Sequence, residues 1–281
     1  MCRLFGANAG DRAVHLSYWL LEAPDSLIAE SERNPDGAGI GWFSDAGAPH
    51  LRKWGSAAFD TTQFSQTALE LDATTCVTHV RAATTGRDDE KNSHPFLIES
   101  RLMAHNGGFG DIPKLEAKLG DYVRYVQGDT DSERYAALIA QETDSHGGDV
   151  GAGITHAAQW IAAELPMYSL NCIVATSGNL WALRYPDTRA LHAVRRSVAD
   201  AEWRGQSSTA GHVLTSCDGE AADLVLVASE RIDDADDWRM LDPGELIHVD
   251  SRLQITSTVA VDGSPANFHL PPGVDHNYDL F

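Results

Sequence analysis

The stretch Met1-Cys2-Arg3-Leu4-Phe5-Gly6 places a cysteine directly after the initiator methionine. If Met1 is removed, which the small side chain at position 2 permits, Cys2 carries both a thiol and the α-amine of the chain. Such an amine has a reference pKa of about 7.7 to 8.0, so a weak base lies beside the sulfur. This combination is one route to covalent catalysis. The alternative is that Cys2 is only a small apolar residue at the start of an edge strand.

The composition narrows the class of protein. The 281 residues include 41 acidic and 21 basic side chains, for a formal net charge of −20. This charge argues against nucleic acid and anionic membranes as partners, because both attract lysine and arginine. No linker, repeat or low-complexity run is evident. We therefore predict a single domain over residues 1–281, with an irregular tail from about residue 263.

Cysteine and histidine spacing argues against a disulfide framework and against a metal site. The sequence has no Cys-x-x-Cys pair and no HExxH motif, so we predict neither a metal nor a cofactor. The residues concerned are scattered: Cys2, Cys76, Cys172 and Cys217, with His79, His94 and His105. The sequence also lacks a signal peptide and an apolar run of about 20 residues, so we expect a cytoplasmic protein.

Hydrophobic periodicity predicts strands towards both ends of the chain and helices between them. Predicted helices cover Ser17–Glu32 and Phe59–Leu71, a segment that begins near Asp131, and Val150–Leu165. Predicted strands cover Arg3–Ala7, Ala38–Phe43, Thr74–Arg81, Phe96–His105, Ser169–Thr176, Leu180–Tyr185, His212–Thr215, Leu224–Ala228, Glu245–Val249 and Leu253–Thr258. This distribution predicts an α+β layered fold rather than alternating βαβ units.

Three short motifs add local detail to the predicted strands and helices. Asn106-Gly107-Gly108 is expected to end a strand. Thr130-Asp131-Ser132-Glu133 has the form of a capping box, which places Asp131 in the first turn of a helix. The glycines of Ala38-Gly39-Ile40-Gly41 indicate close approach of another backbone or of a ligand.

Several of these features also have a functional interpretation. Asn106-Gly107 is a common tight turn, but an amide side chain and a backbone N–H can also donate to a developing oxyanion. Arg81 at a strand end is usually a solvated charge, but its guanidinium can bind a carboxylate through two hydrogen bonds. Asp131 in a first helical turn usually serves the helix dipole, but it can also bind an ammonium group.

Taken in order, the motifs resemble those of the class II glutamine amidotransferases, the N-terminal-nucleophile hydrolases that free ammonia from glutamine. The matching pieces are Met1-Cys2 with Gly6, Asp36-Gly37-Ala38-Gly39 with Trp42, His79-Val80-Arg81-x-Ala83-Thr84-x-Gly86, Asn92-Ser93-His94-Pro95-Phe96, His105-Asn106-Gly107 and Thr130-Asp131-Ser132-Glu133. The resemblance implies a four-layer αββα sandwich with two mostly antiparallel sheets between helices.

The resemblance also implies a catalytic role for three residues. Cys2 would attack the side-chain amide carbon of glutamine and form a thioester, with its own α-amine as general base. Asn106 and Gly107 would form the oxyanion hole.

Substrate binding and support of the site are implied for further residues. Arg81 would hold the α-carboxylate of glutamine and Asp131 its α-ammonium, and Gly107 would also contact the substrate. Support from behind the site would come from His94, Asp36 and Gly37.

Two departures separate this sequence from the better-known synthases of the family. Those enzymes have an aromatic residue after the arginine and a histidine before the glycine, where this chain has Ala82 and Thr85. Ala82 and Thr85 have smaller side chains, so the pocket wall is smaller. The substrate can therefore be either glutamine or a larger γ-glutamyl amide, such as the one hydrolysed in ergothioneine biosynthesis. No acceptor domain follows, so we expect a short stand-alone member that supplies ammonia to a separate synthase subunit. A non-catalytic glutamine-binding regulatory module is the third alternative.

Overall fold

The computed structural model describes residues 2–83, 86–197, 222–233 and 235–269. Within these ranges the α-helices are α1 (Leu27–Glu30), α2 (Thr62–Glu70), α3 (Ile112–Leu119), α4 (Asp131–Ser145) and α5 (Val150–Glu164). The strands are β1 (Arg3–Asn8), β2 (Ala38–Phe43), β3 (Pro49–Trp54), β4 (Thr75–Val80), β5 (Phe96–Ile98), β6 (Arg101–Phe109), β7 (Pro166–Thr176), β8 (Asn179–Leu183), β9 (His192–Arg196), β10 (Leu224–Ala228), β11 (Arg239–Met240), β12 (Glu245–Val249), β13 (Ile255–Val259) and β14 (Asn267–Phe268).

The strands form two sheets. The first has the order β11-β9-β10-β1-β4-β2-β3, and the second has the order β13-β12-β8-β7-β6-β5. The strand pairs within these two orders are antiparallel, whereas β14 pairs with β7 in parallel. The predicted arrangement of two mostly antiparallel sheets is therefore confirmed.

Three apolar cores separate four layers. Side chains alternate across each strand, so neighbouring residues of β1 enter different cores. Leu4 packs between the two sheets, whereas Phe5 packs against the N-terminal helices on the outer face of the first sheet. The third core lies between the second sheet and α3, α4 and α5. This order of layers confirms the predicted αββα sandwich.

The glycines of β2 are explained by the segment that crosses them. A Cβ atom on Gly39 would lie 2.1 Å from the carbonyl oxygen of His94, and one on Gly41 would lie 2.6 Å from Leu102. Such distances leave no room for a side chain, so the predicted close approach of another backbone is confirmed.

The predicted helix over Ser17–Glu32 is wrong as one continuous element. The structure has a single π-helical turn, Tyr18–Glu22, followed by the short helix α1. Pro24 explains the break, because the residue before a proline is driven out of the helical region. Ala23 has an extended ψ of 154°.

The predicted end of a strand at Asn106-Gly107-Gly108 is also wrong. The turn lies earlier, at Glu99 and Ser100, whose φ angles of 49° and 62° are those of a tight hairpin connecting β5 and β6. Strand β6 then continues through Phe109. The Asn106-Gly107 pair is therefore strand backbone rather than a turn.

Other predicted elements are found with small shifts. The helices α2, α4 and α5 are confirmed, and Thr130 caps α4 by accepting a hydrogen bond from the Glu133 N–H at 3.3 Å. The last predicted strand begins at Ile255 because Leu253 has a positive φ of 59°. The predicted irregular tail contains β14, and the predicted strand His212–Thr215 lies outside the described residues.

Candidate active site

Cys2 lies at the entrance of β1, beside the end of β4. In the β1–β4 pair Arg3 is opposite Val80, so Cys2 lies next to the residues that follow this strand. The N–H of Ala82 donates to the Cys2 sulfur at 3.2 Å, and the thiol lies 3.2 Å from the Ala82 carbonyl oxygen. The side chain is half-buried. A central strand of the first sheet therefore holds the candidate nucleophile in place.

The surroundings of the thiol raise its pKa. Burial is the dominant cause, and the Ala82 N–H together with the charges of Arg81 and Arg189 acts in the opposite direction. A raised pKa keeps the thiol protonated near neutral pH. Nucleophilic attack by Cys2 therefore requires a proton acceptor beside the sulfur.

Asn106 reaches Cys2 from the second sheet. Its side-chain amide donates to the Cys2 carbonyl oxygen at 2.9 Å. The backbone carbonyl oxygen of Asn106 accepts from the Ser169 hydroxyl at 3.1 Å. The next residue, Gly107, lies so close to β7 that a Cβ atom would be 1.9 Å from the Ser169 carbonyl oxygen. The structure thus brings residues 2, 106 and 107 together at a junction of the two sheets.

The N–H of Gly107 is directed away from β7. Leu170 donates its N–H to the carbonyl oxygen of Tyr185, on the β8 side of β7. Because backbone groups alternate in direction along a strand, the N–H and C=O of the next residue, Asn171, point towards β6. Asn106 lies opposite Asn171, and the alternation of the ladder then turns Gly107 to the other side of β6. On that side of β6, strand β5 pairs only with residues 101–103. None of the described strands therefore pairs with the Gly107 N–H on this side of β6.

Arg81 follows β4 directly and is buried, with 3% of its surface exposed. One guanidinium nitrogen donates to the carbonyl oxygens of Asp36 at 3.1 Å and Arg87 at 3.2 Å. The same nitrogen lies 3.3 Å from a carboxylate oxygen of Asp88. Its environment therefore already accommodates one carboxylate.

Asp36 and Gly37 brace the backbone around Arg81. The Arg81 N–H donates to the Gly37 carbonyl at 2.8 Å, and the Asp36 N–H donates to the Arg81 carbonyl at 3.0 Å. The Asp36 carboxylate accepts from the Ala83 N–H at 2.7 Å. Gly37 has a φ of 151°, and a Cβ atom there would lie 2.4 Å from the Ser93 hydroxyl. Both residues thus fix the chain that carries the guanidinium.

Asp131 projects from the first turn of α4 towards the end of β6. Its carboxylate accepts from the N–H of Phe109 at 3.1 Å and from the N–H of Ser132 at 2.9 Å. A register shift between Gly108 and Phe109 explains why the Phe109 N–H is available outside the β6–β7 ladder. An acidic side chain in the first turn also interacts favourably with the helix dipole. A negative charge therefore lies close to the Asn106-Gly107 segment.

His105 links these parts of the site, and sequence reasoning missed this role. Its Nε2 lies 3.0 Å from the Ser169 carbonyl oxygen and its Nδ1 lies 2.9 Å from the Ser132 hydroxyl. Because a carbonyl only accepts, Nε2 donates and Nδ1 accepts from Ser132. Burial lowers the pKa of His105, against the opposing charge of Asp131, so the ring is neutral. The adjacency of His105 to Asn106 and of Ser132 to Asp131 was the available signal.

Arg189 is a second residue that sequence reasoning missed. It is buried in the connection between β8 and β9, and its guanidinium lies over the Tyr168 ring at 5.0 Å. Its charge acts on the Cys2 thiol. Since it lies far along the chain from the other motifs, only the tertiary structure places it near the nucleophile.

His94 lies in the interior rather than among the polar groups around Cys2. Its ring packs against His79 at 4.2 Å and Phe96 at 4.8 Å, and neither ring nitrogen has a hydrogen-bond partner among the described residues. Burial is the main cause that holds its pKa well below the usual value. Burial also lowers the pKa of His79 to about 3. Both rings are therefore neutral.

Two findings concern metals and membranes. In the part of the chain that the structure describes, no group of three or more histidine, cysteine or acidic side chains is arranged to hold a metal ion. No helix among the described residues is long and apolar enough to cross a bilayer.

Comparison with known families decides the class. The family model described as "Glutamine amidotransferases class-II" matches residues 1–267. The chain belongs to the class-II glutamine amidotransferases. The resemblance inferred from the ordered motifs is thus confirmed.

Relatives within the class-II glutamine amidotransferases match parts of the chain. The probable glutamine amidotransferase DUG3 of Saccharomyces cerevisiae is 31% identical over 171 residues, covering 53% of this chain and 47% of that protein. An amidophosphoribosyltransferase of Archaeoglobus fulgidus is 29% identical over 148 residues, covering 50% and 30%. The matched region thus spans half or less of the length of these relatives.

Solved structures share the fold at low identity. The glutamine phosphoribosylpyrophosphate amidotransferase of B. subtilis aligns with a TM-score of 0.65 at 18% identity, covering 94% of this chain and 50% of that one. A glutamine aminotransferase class-II domain protein of Silicibacter pomeroyi aligns with a TM-score of 0.60 at 17% identity, covering 93% and 100%.

Proposed function

We propose that this chain is a cysteine-dependent amidohydrolase that releases ammonia from the side chain of glutamine through a thioester on Cys2. The observation that carries the proposal is the 2.9 Å hydrogen bond between the Asn106 amide and the Cys2 carbonyl. It places a hydrogen-bond donor from the second sheet beside a nucleophile on the first.

The first step forms the carbon–sulfur bond. After removal of Met1, the neutral α-amine of Cys2 accepts the thiol proton, and the sulfur attacks the amide carbon. The carbonyl oxygen becomes an oxyanion, which accepts hydrogen bonds from the free N–H of the Asn106 side chain and from the Gly107 N–H. The raised pKa of the thiol explains why this base is needed.

The second step releases ammonia. The protonated α-amine returns its proton to the departing nitrogen, the carbon–nitrogen bond breaks, and a thioester remains. Water then attacks the thioester with the same amine as base, which gives glutamate and restores the thiol.

The two charged residues select the amino-acid end of the substrate. Arg81 binds the α-carboxylate through its guanidinium. Asp131 binds the α-ammonium with a carboxylate that two backbone N–H groups orient. A substrate without the α-ammonium would leave the Asp131 carboxylate without a cationic partner, which makes rejection strong.

The test is ammonia release from glutamine by the wild type and by Cys2→Ala. Loss of turnover in Cys2→Ala is expected, with activity retained in Cys76→Ala, whose thiol is buried in β4. Mass spectrometry of the active protein should show loss of one methionine. Equal activity in Cys2→Ala would remove the covalent mechanism, and no turnover in the wild type would favour the non-catalytic glutamine-binding module.

A larger γ-glutamyl amide is a second candidate substrate, and Ala82 favours it. This residue contacts the Cys2 sulfur through its backbone, and it replaces the aromatic residue of the better-known synthases with a methyl group. A panel of γ-glutamyl amides with amines of increasing size separates the candidates. Higher kcat/KM for bulky amides, lost in Ala82→Trp, would support the second substrate. If glutamine is the substrate, we propose that a separate synthase subunit accepts the ammonia.

A further inference from the structure

Strand β13 is an edge of the second sheet that lacks the usual protection. All five of its residues are exposed, including Ile255 at 44% and Val259 at 73%. No strand among the described residues pairs with its outer side. Residues 253–261 contain no charged residue and no proline. Such an edge presents unpaired N–H and C=O groups to any extended chain.

The other edge strands of the two sheets are protected against pairing with another chain. Strand β11 has two residues and β5 has three, which is too short for stable pairing. Strand β3 begins with Pro49 and carries Arg52 and Lys53. The contrast singles out β13 as the edge among the described strands that is free to accept a partner.

The direction of the β13 backbone groups follows from its pairing with β12. Asp250 donates its N–H to the Gln254 carbonyl at 3.1 Å, and Ala260 donates its N–H to the Gly244 carbonyl at 2.8 Å. These pairs fix the alternation, so even-numbered residues of the strand bond to β12. The N–H and C=O groups of Ile255, Ser257 and Val259 therefore point outwards.

The sequence of this strand is self-complementary. Read in the opposite direction, Ile-Thr-Ser-Thr-Val becomes Val-Thr-Ser-Thr-Ile, with Ser257 at the centre. Antiparallel pairing with an identical strand then places Ile255 opposite Val259 and Thr256 opposite Thr258. Both are favourable cross-strand pairs. Every outward N–H of one copy meets an outward C=O of the other.

Charges beyond the ends of the strand agree with the same pairing. Arg252 precedes β13, Asp262 follows it, and both are exposed. A two-fold axis at Ser257 brings Arg252 of one copy to the end that carries Asp262 of the other. Asp250 accepts from the N–H groups of Arg252 and Gln254, which fixes the turn that leads into β13. The edge is thus held in place before pairing.

We propose that β13 pairs with β13 of a second copy of this chain, about a two-fold axis at Ser257. The pairing joins the two second sheets into one continuous sheet. Because each copy uses the same strand, the contact closes on itself and buries both edges, which stops further growth. The candidate active site lies on other strands, so the proposal is independent of the proposed function.

The first experiment is sedimentation or light scattering of the full chain over a concentration series that begins in the micromolar range. The wild type is expected to form dimers. Ser257→Lys places two like charges directly opposite each other and should weaken dimerisation at least tenfold, with unchanged circular dichroism. The matched control is Leu97→Lys, which adds a charge to the exposed side of β5 and should leave the dimer intact.

A disulfide experiment tests the register. In a hydrogen-bonded antiparallel pair the two Cα atoms are about 5.5 Å apart, which a disulfide can span. Mild oxidation should therefore cross-link Ser257→Cys across the axis. Thr256→Cys is the control, since its partner in the pairing is Thr258, and it should give no cross-link above the wild type.

Each outcome decides the proposal. A wild type that remains monomeric throughout the series overturns it, and so does a dimer that persists in Ser257→Lys. If Ser257→Lys does not fold, Val259→Lys replaces it, because that side chain is also outside the core. Cross-linking at residue 256 but not at 257 would overturn the proposed register.

Discussion

The proposed reaction centre and the proposed charged binding groups of this protein are held in different ways. Cys2 adjoins the β1–β4 ladder, and Asn106 and Gly107 lie within the β6–β7 ladder. Arg81 is surrounded by the loop after β4, and Asp131 depends on a helix terminus and a strand irregularity.

This difference predicts which kinetic parameter, kcat or KM, each region should control. These ladders fix the positions of the proposed reacting groups, so changes there should alter the chemical step. The charged groups depend on a few hydrogen bonds from loops and one helix end, so changes there should alter substrate capture. Separate measurement of kcat and KM tests this division.

We expect the largest effect on catalysis at Asn106, the proposed oxyanion donor in β6. Asn106→Ala removes one oxyanion donor and should lower kcat by about 10²–10³, with little change in KM. Asn179→Ala, in the distant β7–β8 hairpin, is the control and should retain full activity. A rise in KM at unchanged kcat for Asn106→Ala would contradict the division between the two regions.

Arg81 should show the opposite behaviour. Arg81→Ala removes a charged hydrogen-bond donor worth about 1.5–3 kcal/mol and should raise KM for glutamine by about 10–150-fold, with a smaller change in kcat. Arg33→Ala, on an exposed side chain, is the control. A loss confined to kcat would assign Arg81 to the chemical step instead.

The pH dependence should report the α-amine of Cys2 alone. A base must be deprotonated to accept the thiol proton, so kcat/KM should rise about tenfold per pH unit up to a pKa of about 7.7–8.0. Burial lowers the pKa of His79 to about 3 and that of His94 well below normal. His94→Gln should therefore keep the same inflection, and its disappearance in that variant would assign the base to histidine.

The smallest effect is expected at Ser132, which supports Asp131 through the helix terminus. Ser132→Ala removes the hydrogen bond to His105 and should raise KM for glutamine by about 2–10-fold, the value of one net hydrogen bond. The increase should vanish with an analogue that lacks the α-amine. Ser145→Ala at the other end of α4 should behave as wild type. An equal rise for both substrates would indicate a general structural effect.

Local chemistry made part of the site predictable. Cys2 follows the initiator residue, Arg81 ends a β-branched strand, and Thr130 with Glu133 predicts the start of α4. Each signal depends only on neighbours in the chain. Glu133 differs in one respect, since its carboxylate accepts from the N–H groups of Gln127 and Gly128 instead of the capping residue.

Tertiary contacts made the rest unpredictable. Asn106-Gly107 has the local signature of a turn, but pairing with β7 keeps it extended. Arg189 is brought to Cys2 by the connection between β8 and β9, which no motif marks. Helix α3 and strands β3, β9 and β11 were not predicted either. Strand β11 shows why, since two exposed residues carry no periodicity and only pairing with β9 defines them.

The contact between Arg81 and Asp88 has a consequence for the electrostatics of binding. The guanidinium is almost wholly buried, whereas 59% of the Asp88 side chain is exposed, so the resting ion pair is neutral and its acid can reach water. An incoming α-carboxylate that takes the place of Asp88 exchanges one anion for another. The interior then gains no net charge when the substrate binds, and the displaced acid regains its hydration at the surface.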